Sequence, residues 1–429
     1  MNRVYVRRPG DAGASGDVIF EPGANLHTGE EDFATAFGSP TSLESDLLIL
    51  SAAVFAADRC IAREPRQHPT RGIELSVPVV NAARLVPLVP RIERVLRKLS
   101  LDAWRLQLRQ VGGTPEPDWT GQESTGQTLL FSGGLDSLAA ALEFSVSQQL
   151  QLVSHNTRNQ PTRAAQQALI EALQGAGRTF AVRHFFVSSR SAPPASQVQH
   201  DIENTQRTRS FMFLLLGALS ARRMGHRSVL MLAENGQMAI HLALTPARIG
   251  PFSTYTAHPD VLAMMEGILS EALGYSITVR NPYVESTKAE VIGPIVRDLP
   301  AAIALSTSCW KNTRLSTGAT HCGLCIPCLV RRIAVETHWA QDPTSYQDDI
   351  FAVPLADLPE EHEGRRNLAD YAEFVLNFER ESASSLIEKW PELRSRNFNS
   401  SAVIAMYKRA AVEARTMMSR YPVGAGLLA

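Results

Sequence analysis

One turn in the sequence has the residue types needed to hold a phosphate group. An apolar run that begins at Thr128 leads into Ser-Gly-Gly-Leu-Asp-Ser, and apolar residues then recur at helical spacing. This order predicts a strand, a tight turn and a helix. Glycine lets the backbone approach a ligand closely, and the first amides of a helix have no intrahelical partner. The predicted nucleotide-binding residues of this turn are Ser132, Gly133, Gly134, Leu135, Asp136 and Ser137.

A Walker A loop and an ordinary capped turn are two other interpretations of this stretch. The turn lacks the spacing and the lysine of a Walker A loop, so the usual triphosphate-binding P-loop is excluded. The alternative is an ordinary Gly-Gly turn capped by Asp136, which would bind nothing. The predicted strand before the turn and helix after it favour an anion site.

A cluster of cysteines forms the second candidate for chemistry. Cys309 is followed by a Cys-x-x-Cys-x-x-Cys run that begins at Cys322. Four thiolates at this spacing match the tetrahedral ligand set of Zn²⁺ with none left over, so we predict structural zinc. A redox pair and an Fe–S cluster are the alternatives. His321 adjoins the cluster and is expected outside the ligand shell, while Cys60 lies in an apolar helix as a core residue. The predicted metal ligands are Cys309, Cys322, Cys325 and Cys328.

Composition sets limits on what the chain can be. Its 429 residues have room for two or three domains, and hydrophobic residues make up 44% of them. The net charge of −1 gives no global attraction to nucleic acid or to a membrane, so neither is an expected partner. Phe211 to Leu219 is the longest apolar run, which is too short to cross a bilayer. Clustered cysteines without a disulfide pattern, and a basic start without an apolar core, predict a cytoplasmic location.

Sequence patterns divide the chain into four predicted parts. Residues 1–120 show an α+β pattern without an assignable motif, typical of a docking or oligomerisation domain. Residues 121–305 alternate strands and helices, which predicts an α/β domain with a parallel sheet. Residues 306–340 form the cysteine knuckle. Residues 341–429 carry apolar residues at three- and four-residue steps, which predicts a helical extension that covers the domain or docks a partner.

Several single residues outside these motifs are candidates for binding. His155 follows the second predicted strand of the α/β domain, and ligands of such sheets bind at the carboxyl ends of strands. A polar strand-end turn is the equal alternative. The loop from Thr245 to Pro259, which includes Arg248 and His258, could roof the pocket or be an ordinary connection.

Taken together, the motifs resemble the QueC-like (7-cyano-7-deazaguanine synthase) family of ATP pyrophosphatases. The similarity covers about residues 126–335 and rests on SGGLDS, Thr287-Lys-Ala-Glu290, Ser308-Cys309-Trp310 and the cysteine knuckle. It implies a doubly wound parallel sheet of the PP-loop, adenine nucleotide alpha hydrolase-like type. It also implies ATP, Mg²⁺ and Zn²⁺ as cofactors, with the zinc holding the fold beside the site.

The resemblance also implies roles for individual residues. A carboxylate of 7-carboxy-7-deazaguanine type would be adenylated, and an amine would then displace AMP, which is the chemistry of an ATP-dependent carbon–nitrogen ligase. Asp136, Ser137, Lys288 and Arg209 are the expected catalytic residues, with Lys288 near ATP and Arg209 facing the nucleotide. The alternatives are an exposed lysine on a Thr-capped helix and an arginine at a solvated helix start.

Three departures from the family pattern affect the expected substrate and acceptor. The gap of twelve residues after Cys309 is long, the stretch from Arg248 to His258 replaces the motif associated with deazaguanine recognition, and extra segments flank both ends. These features are more similar to QueC-like proteins of antiviral defence operons, the QatC type. That similarity implies a partner protein from the same operon whose N-terminal amine accepts the deazaguanine. The alternatives are housekeeping synthesis of the free nitrile and a non-catalytic, zinc-stapled nucleotide-binding scaffold.

Overall fold

The computed structural model describes residues 2–8, 16–62, 70–146, 149–189, 203, 207–226, 228–245, 255–316 and 318–429. In these ranges the strands are β1 (Asn2–Val6), β2 (Val18–Phe20), β3 (Leu26–Thr28), β4 (Gly72–Val79), β5 (Ala103–Gln110), β6 (Gln127–Leu130), β7 (Leu150–His155), β8 (Ala181–Phe185), β9 (Val187–Ser189), β10 (Ser228–Met231) and β11 (Thr278–Arg280). The helices are α1 (Glu30–Phe37), α2 (Ser42–Cys60), α3 (Ala82–Leu85), α4 (Val89–Ser100), α5 (Leu135–Phe144), α6 (Gln160–Gly175), α7 (Arg209–Arg223), α8 (Gly236–Ile240), α9 (Pro259–Leu273), α10 (Lys288–Asp298), α11 (Ala302–Leu305), α12 (Ile326–His338), α13 (Glu363–Arg380), α14 (Ala383–Lys389), α15 (Ser400–Met418) and α16 (Pro422–Leu428).

The N-terminal part contains a four-stranded sheet in the order β2-β1-β4-β5. Each neighbouring pair in this sheet is parallel. The predicted α+β pattern is therefore wrong for this part, which is α/β. The strands themselves lie where alternation and β-branched residues predict them, but a single strand's pattern does not reveal the direction of its partner.

The central sheet has the order β11-β10-β6-β7-β8, and its neighbouring strands are parallel. The chain runs outward from β6 through β7 to β8, and then returns to place β10 on the other side of β6. The connections that leave the carboxyl ends of β6 and β10 therefore diverge. In parallel sheets such a reversal opens a crevice at the carboxyl edge, where ligands bind.

Apolar side chains on the central strands separate helices onto two faces. Leu129 and Leu152 are paired in register and pack with α5, α6 and α10. Their neighbours Leu130 and Val153 point to the opposite face and pack with α7 and α9. Both faces of these strands are therefore buried, and so are their polar residues, among them Thr128 and Gln151.

Helices α2 and α4 join the N-terminal sheet to the central one. Helix α2 packs on both β4 and α7, and α4 packs on both β5 and α9, so one hydrophobic core runs through both parts. The capping box predicted at the start of α2 is confirmed, with Thr41 and Glu44 as its two partners. This core is continuous across the predicted domain limit at residue 120. The domain limits at 120, 305 and 340 stay predictions.

A buried arginine fixes this junction. Arg71 pairs with the carboxylates of Asp58 and Asp102, and all three side chains are nearly inaccessible to solvent. Asp58 also accepts hydrogen bonds from the backbone and hydroxyl of Thr208, at 3.1 and 3.0 Å, just before α7. The Arg71 cluster therefore ties α2, β4 and the start of β5 to the helix that lies under the central sheet.

The C-terminal residues form a helical layer, as predicted. Helices α13 to α16 share a hydrophobic core with α8 and α12, including Ile240 and Val330. This layer therefore lies against the carboxyl edge of the central sheet, where α8 follows β10. Among the described helices, none is both long and apolar enough to pass through a membrane.

Replacing Arg71 with leucine should destabilise the protein by about 3–5 kcal/mol, because it removes the guanidinium that pairs with two buried carboxylates. Urea unfolding of Arg71→Leu measures this change. Arg105→Leu is the control, since Arg105 is exposed on β5, and it should change the free energy of unfolding by less than about 1 kcal/mol. Equal effects of the two substitutions would contradict a structural role for the buried cluster.

Candidate functional site

The Ser-Gly-Gly turn connects β6 to α5 at the carboxyl edge of the central sheet. Gly133 has a φ of +86°, in the left-handed region that favours glycine, and a Cβ there would lie 3.0 Å from Gln166 Cγ. A Cβ on Gly134 would lie 3.3 Å from the carbonyl oxygen of Thr307. Gly133 thus allows the left-handed backbone conformation of the turn, and Gly134 allows the backbone of Thr307 to approach it closely.

Polar groups of the turn surround the start of α5. The hydroxyls of Ser132 and Ser137 lie 3.3 Å apart, and Ser137 donates to the carbonyl of Gly134 at 3.0 Å. Gly134 is the N-cap, and no side chain of the described ranges caps the helix. The first amides of α5 therefore keep their capacity to donate to an anion.

Asp136 and Lys288 form an ion pair in this crevice. Lys288 Nζ donates to Asp136 Oδ2 at 2.8 Å, and Asn235 Nδ2 donates to the same oxygen at 3.1 Å. The lysine side chain is 10% exposed and the aspartate side chain 13% exposed. The other aspartate oxygen, Oδ1, is buried and has no hydrogen-bond partner among the described residues, so it could accept from a ligand or bind a cation.

The start of α10 holds Lys288 in place. Thr287 caps the helix and forms a capping box with Glu290, as the sequence pattern indicates. The Lys288 backbone N–H donates to Gln237 Oε1 at 3.1 Å, and the Thr287 hydroxyl donates to Glu413 Oε1 at 2.7 Å. Residues of α8 and of the C-terminal layer therefore set the position of this lysine.

Glu234 adds a second carboxyl group to the crevice at the end of β10. Its backbone N–H and carbonyl both bond to the side-chain amide of Asn281, at 3.1 and 2.6 Å. Burial, and then the charge of Asp136, raise the pKa of Glu234 to about 7, although Lys288 opposes the shift. This group therefore changes charge near neutral pH, as a general acid or base must.

Most of these groups line one cavity of about 170 Å³, although Gly133 and Ser137 are not among its lining residues. Five predicted site residues contribute to it, and Glu234 is an addition that the sequence did not single out. The signal that could have found it is a polar strand end next to the turn, since β6 and β10 are neighbours. The lining residues are Ser132, Gly134, Leu135, Asp136, Ala233, Glu234, Asn235, Met238, Lys288, Thr307, Ser308, Trp310, Pro327 and Val330.

His155 and Arg209 are not among the residues that line this cavity. His155 is buried between the rings of Phe55 and Phe213, and its Nε2 lies 2.8 Å from the carbonyl of Val187. Burial and the nearby Arg209 charge lower the pKa of His155 to about 4, so the imidazole is neutral. The guanidinium of Arg209 lies over the Phe213 ring. The structure brings these two residues together, away from the Asp136–Lys288 pair, and their nucleotide-binding roles stay predictions.

The predicted roof of the pocket is described only in part. Residues 246–254, including Arg248, Ser253 and Thr254, lie outside the described ranges. His258 is described and buried at the N-cap of α9, where its ring accepts from the backbone of Asp260. Its position is explained by this capping role.

The four cysteines at the predicted metal site converge. Their sulfur atoms all lie within 4.8 Å of one another. A tetrahedral Zn²⁺ with bonds of about 2.3 Å would place its thiolates about 3.8 Å apart, so the cluster could hold one such ion. Backbone amides of Lys311 and Leu324 donate to two of the sulfurs at 3.3 and 3.4 Å, which favours the thiolate form.

The cysteine lobe contacts the glycine turn directly. Thr307 donates its backbone N–H to the carbonyl of Gly133 at 3.0 Å. Arg331, fully buried on α12, donates to the hydroxyls of Ser306 and Ser308 on either side of Thr307. His321 accepts from the Ser308 backbone through Nε2 at 3.1 Å and contacts Thr320 through Nδ1. The lobe therefore positions one wall of the cavity.

The central part of the chain matches one known protein family. Residues 127–338 match the family model described as "Queuosine biosynthesis protein QueC". The match covers just under half of the 429 residues. It includes the glycine turn, Lys288 and the four cysteines, and leaves the N-terminal sheet and the C-terminal helical layer outside. The central part of this chain is therefore similar to QueC proteins.

The similar curated proteins carry one name, 7-cyano-7-deazaguanine synthase. The protein from Chelativorans is 25% identical over 236 residues, which span 52% of this chain and 94% of that relative. The protein from Rhizobium etli is 35% identical over 95 residues, which span 22% of this chain and only 38% of that relative. The protein from Brucella anthropi is 23% identical over 94% of its length.

Replacing Cys325 with serine should remove the bound metal, because three thiolates and a hydroxyl hold Zn²⁺ poorly. Metal analysis of the purified wild-type chain should give about one zinc ion per chain, and the Cys325→Ser variant should give much less and melt at a lower temperature. Cys60→Ser, outside the cluster, should keep its zinc. Unchanged zinc content in Cys325→Ser, or iron in place of zinc, would contradict the zinc assignment.

Glu234→Gln should stabilise the protein at high pH. Because the pKa of Glu234 is raised to about 7 on folding, the stability that its neutral form provides is present in acid and is lost as pH rises towards 7. At pH 8 the variant should exceed wild type by roughly 1–3 kcal/mol, and the difference should shrink by pH 5. Urea unfolding across this range measures it. Exposed Glu31→Gln is the control; a wild type at least as stable as Glu234→Gln at pH 8 would refute the assignment.

Proposed function

We propose that this chain is an ATP-dependent carbon–nitrogen ligase that activates a carboxylate of 7-carboxy-7-deazaguanine type. The observation that carries the proposal is the Asp136–Lys288 pair beside an uncapped helix N-terminus in a parallel-sheet crevice. Similarity to QueC proteins supports the PP-loop type of doubly wound fold and the substrate class. The name of these relatives, 7-cyano-7-deazaguanine synthase, contains the same heterocycle.

In the first step, a substrate carboxylate oxygen attacks the α-phosphorus of ATP. The bond from that phosphorus to the bridging oxygen breaks, and pyrophosphate leaves. The amides at the start of α5, with Ser132 and Ser137, would bind the departing phosphates, and Lys288 would offset the charge that develops on them. The product is an acyl-AMP, whose AMP is a far better leaving group than hydroxide.

In the second step, an amine nitrogen attacks the acyl carbon and AMP leaves, which forms an amide. The amine must lose a proton during this step. Glu234 lines the same cavity, and its raised pKa suits a base at neutral pH. We propose that Glu234 takes this proton.

The carboxylates fit a magnesium ion. Asp136 Oδ1 is buried and, within the part of the chain that the structure describes, has no hydrogen-bond partner; Glu234 lines the same cavity. Oxygen ligands of this kind suit Mg²⁺, which in nucleotide enzymes neutralises phosphate charge. We propose that Asp136 holds the Mg²⁺ that accompanies ATP, and that zinc in the cysteine cluster has a structural role.

The proposal also specifies which amine accepts the acyl group. The N-terminal sheet and the C-terminal layer lie outside the QueC match, and these additions fit an enzyme that docks a partner protein. We propose that the N-terminal amine of a partner from the same operon accepts the acyl group, as in QueC-like antiviral defence systems. Ammonia as the acceptor is the housekeeping alternative: it gives a primary amide, and a second ATP then activates the amide oxygen so that it leaves and the free nitrile forms. A cytoplasmic location fits both.

Asp136→Ala should lower ATP-dependent pyrophosphate release at least about 100-fold, because it removes a predicted magnesium ligand and the partner of Lys288. The assay contains ATP, Mg²⁺ and 7-carboxy-7-deazaguanine, with and without co-expressed operon neighbours, and intact mass spectrometry detects the acylated amine. Asp298→Ala is the control, because Asp298 lies at the far, exposed end of α10.

The outcomes of this assay separate the candidates. Mass added to a neighbour's N-terminus supports the defence proposal, and free nitrile formed from ammonia supports the housekeeping alternative. Full biological activity in Asp136→Ala would instead indicate a nucleotide-binding scaffold and would overturn the enzyme proposal.

A further inference from the structure

A second, larger cavity adjoins the one that contains Asp136. Its volume is about 590 Å³, within the range typical of ligand sites, whereas the first cavity of about 170 Å³ is below that range. The two share Met238, Trp310 and Val330 in their walls. A ligand in the larger cavity can therefore present a group to the Asp136–Lys288 pair.

Much of the second cavity is built from the C-terminal layer, outside the QueC match. Six residues of α13 line it, at spacings of three, four, seven, eight and eleven from the first, which places them on one face of the helix. They are Glu363, Arg366, Asn367, Asp370, Tyr371 and Phe374. Helix α8 and the cysteine lobe supply the facing wall.

The cavity offers flat apolar surfaces. Trp310 follows a buried cysteine, yet it is 54% exposed and stands at the boundary between the two cavities. Across the cavity, Tyr371, Phe374 and Tyr407 form an aromatic cluster, in which the rings of Phe374 and Tyr407 lie 5.7 Å apart. An exposed indole opposite aromatic side chains is the usual arrangement for stacking a planar ring.

The cavity also contains carboxylates, which can accept hydrogen bonds from the N–H groups of a ligand. Three carboxylates line it, and that of Glu363 is paired with Lys311. Asp370 stands on the inner face of α13, one residue before Tyr371. A guanine-type ring presents neighbouring N–H donors on one edge, and a carboxylate accepts two such bonds at once.

Hydrogen bonds connect the two cavities. Gln237 lines the larger one, and its Nε2 donates to the Tyr371 hydroxyl at 3.3 Å. Its Oε1 accepts from the backbone N–H of Lys288 at 3.1 Å. One side chain therefore links the wall of the larger cavity to the lysine of the smaller one.

We propose that the second cavity binds the planar, carboxylate-bearing heterocycle, with its ring on Trp310 and its donor edge on Asp370. This inference rests on the proposed function and adds that the C-terminal layer forms part of the substrate site. The carboxylate of the heterocycle then faces the boundary at Met238, next to the phosphates of ATP. The aromatic walls and the pairing of Glu363 with Lys311 favour a flat ring over the cationic end of a polypeptide.

Two substitutions test the proposal, each with a matched control. Trp310→Ala should raise the KM and the Kd for 7-carboxy-7-deazaguanine about tenfold or more, with a smaller change in the KM for ATP, and Trp310→Phe should restore most of the loss. Asp370→Asn should have a comparable effect. Glu373→Gln on the exposed face of α13 should have none. Zinc content and melting temperature, compared across the variants, report on folding.

Calorimetry with the full-length chain and 7-carboxy-7-deazaguanine, without ATP, separates this inference from the proposed function. Wild-type binding that both Trp310→Ala and Asp370→Asn weaken supports the cavity assignment, even if pyrophosphate release is never seen. Absence of wild-type binding, or equal affinity in all variants, overturns it. A rise in the KM of the amine acceptor alone would assign the cavity to a polypeptide end and would also overturn it.

Discussion

The ion pair between Asp136 and Lys288 is the constraint on which the site depends. A lysine that is only 10% exposed needs a nearby anion, because burying an unpaired charge costs several kcal/mol. The two residues lie on different helices, at the first turn of α5 and of α10. They meet because the strands that precede these helices belong to one parallel sheet, whose carboxyl ends share an edge. The sheet order therefore determines the site geometry.

The glycine turn, the cysteine lobe and the C-terminal layer surround this pair, and each contributes differently to the site. The glycine turn leaves helix amides open to an anion, and the cysteine lobe supports that turn through the Thr307–Gly133 hydrogen bond. The C-terminal layer contacts the start of α10 through Glu413, and α8 contacts it through Gln237. The C-terminal layer, which lies outside the QueC match, therefore contacts the residue that precedes Lys288 directly.

Local features could be predicted from the sequence because their causes are local. The glycine turn, the capping boxes at Thr41 and Thr287, and the convergence of the cysteines each follow from a few neighbouring residues. Strand direction in the N-terminal sheet, the place of Glu234 and the second cavity depend on contacts between distant segments. His155 shows the same limit, since its strand end lies at the expected edge while its ring turns into the core between Phe55 and Phe213.

Hydrogen–deuterium exchange with and without ATP and Mg²⁺ tests the central claim most directly. If the crevice at β6 and β10 binds the phosphates, the amides of residues 133–138 and the start of α10 should become more protected when ATP is added. Protection of another region by bound ATP, with no change at the glycine turn, would contradict the account.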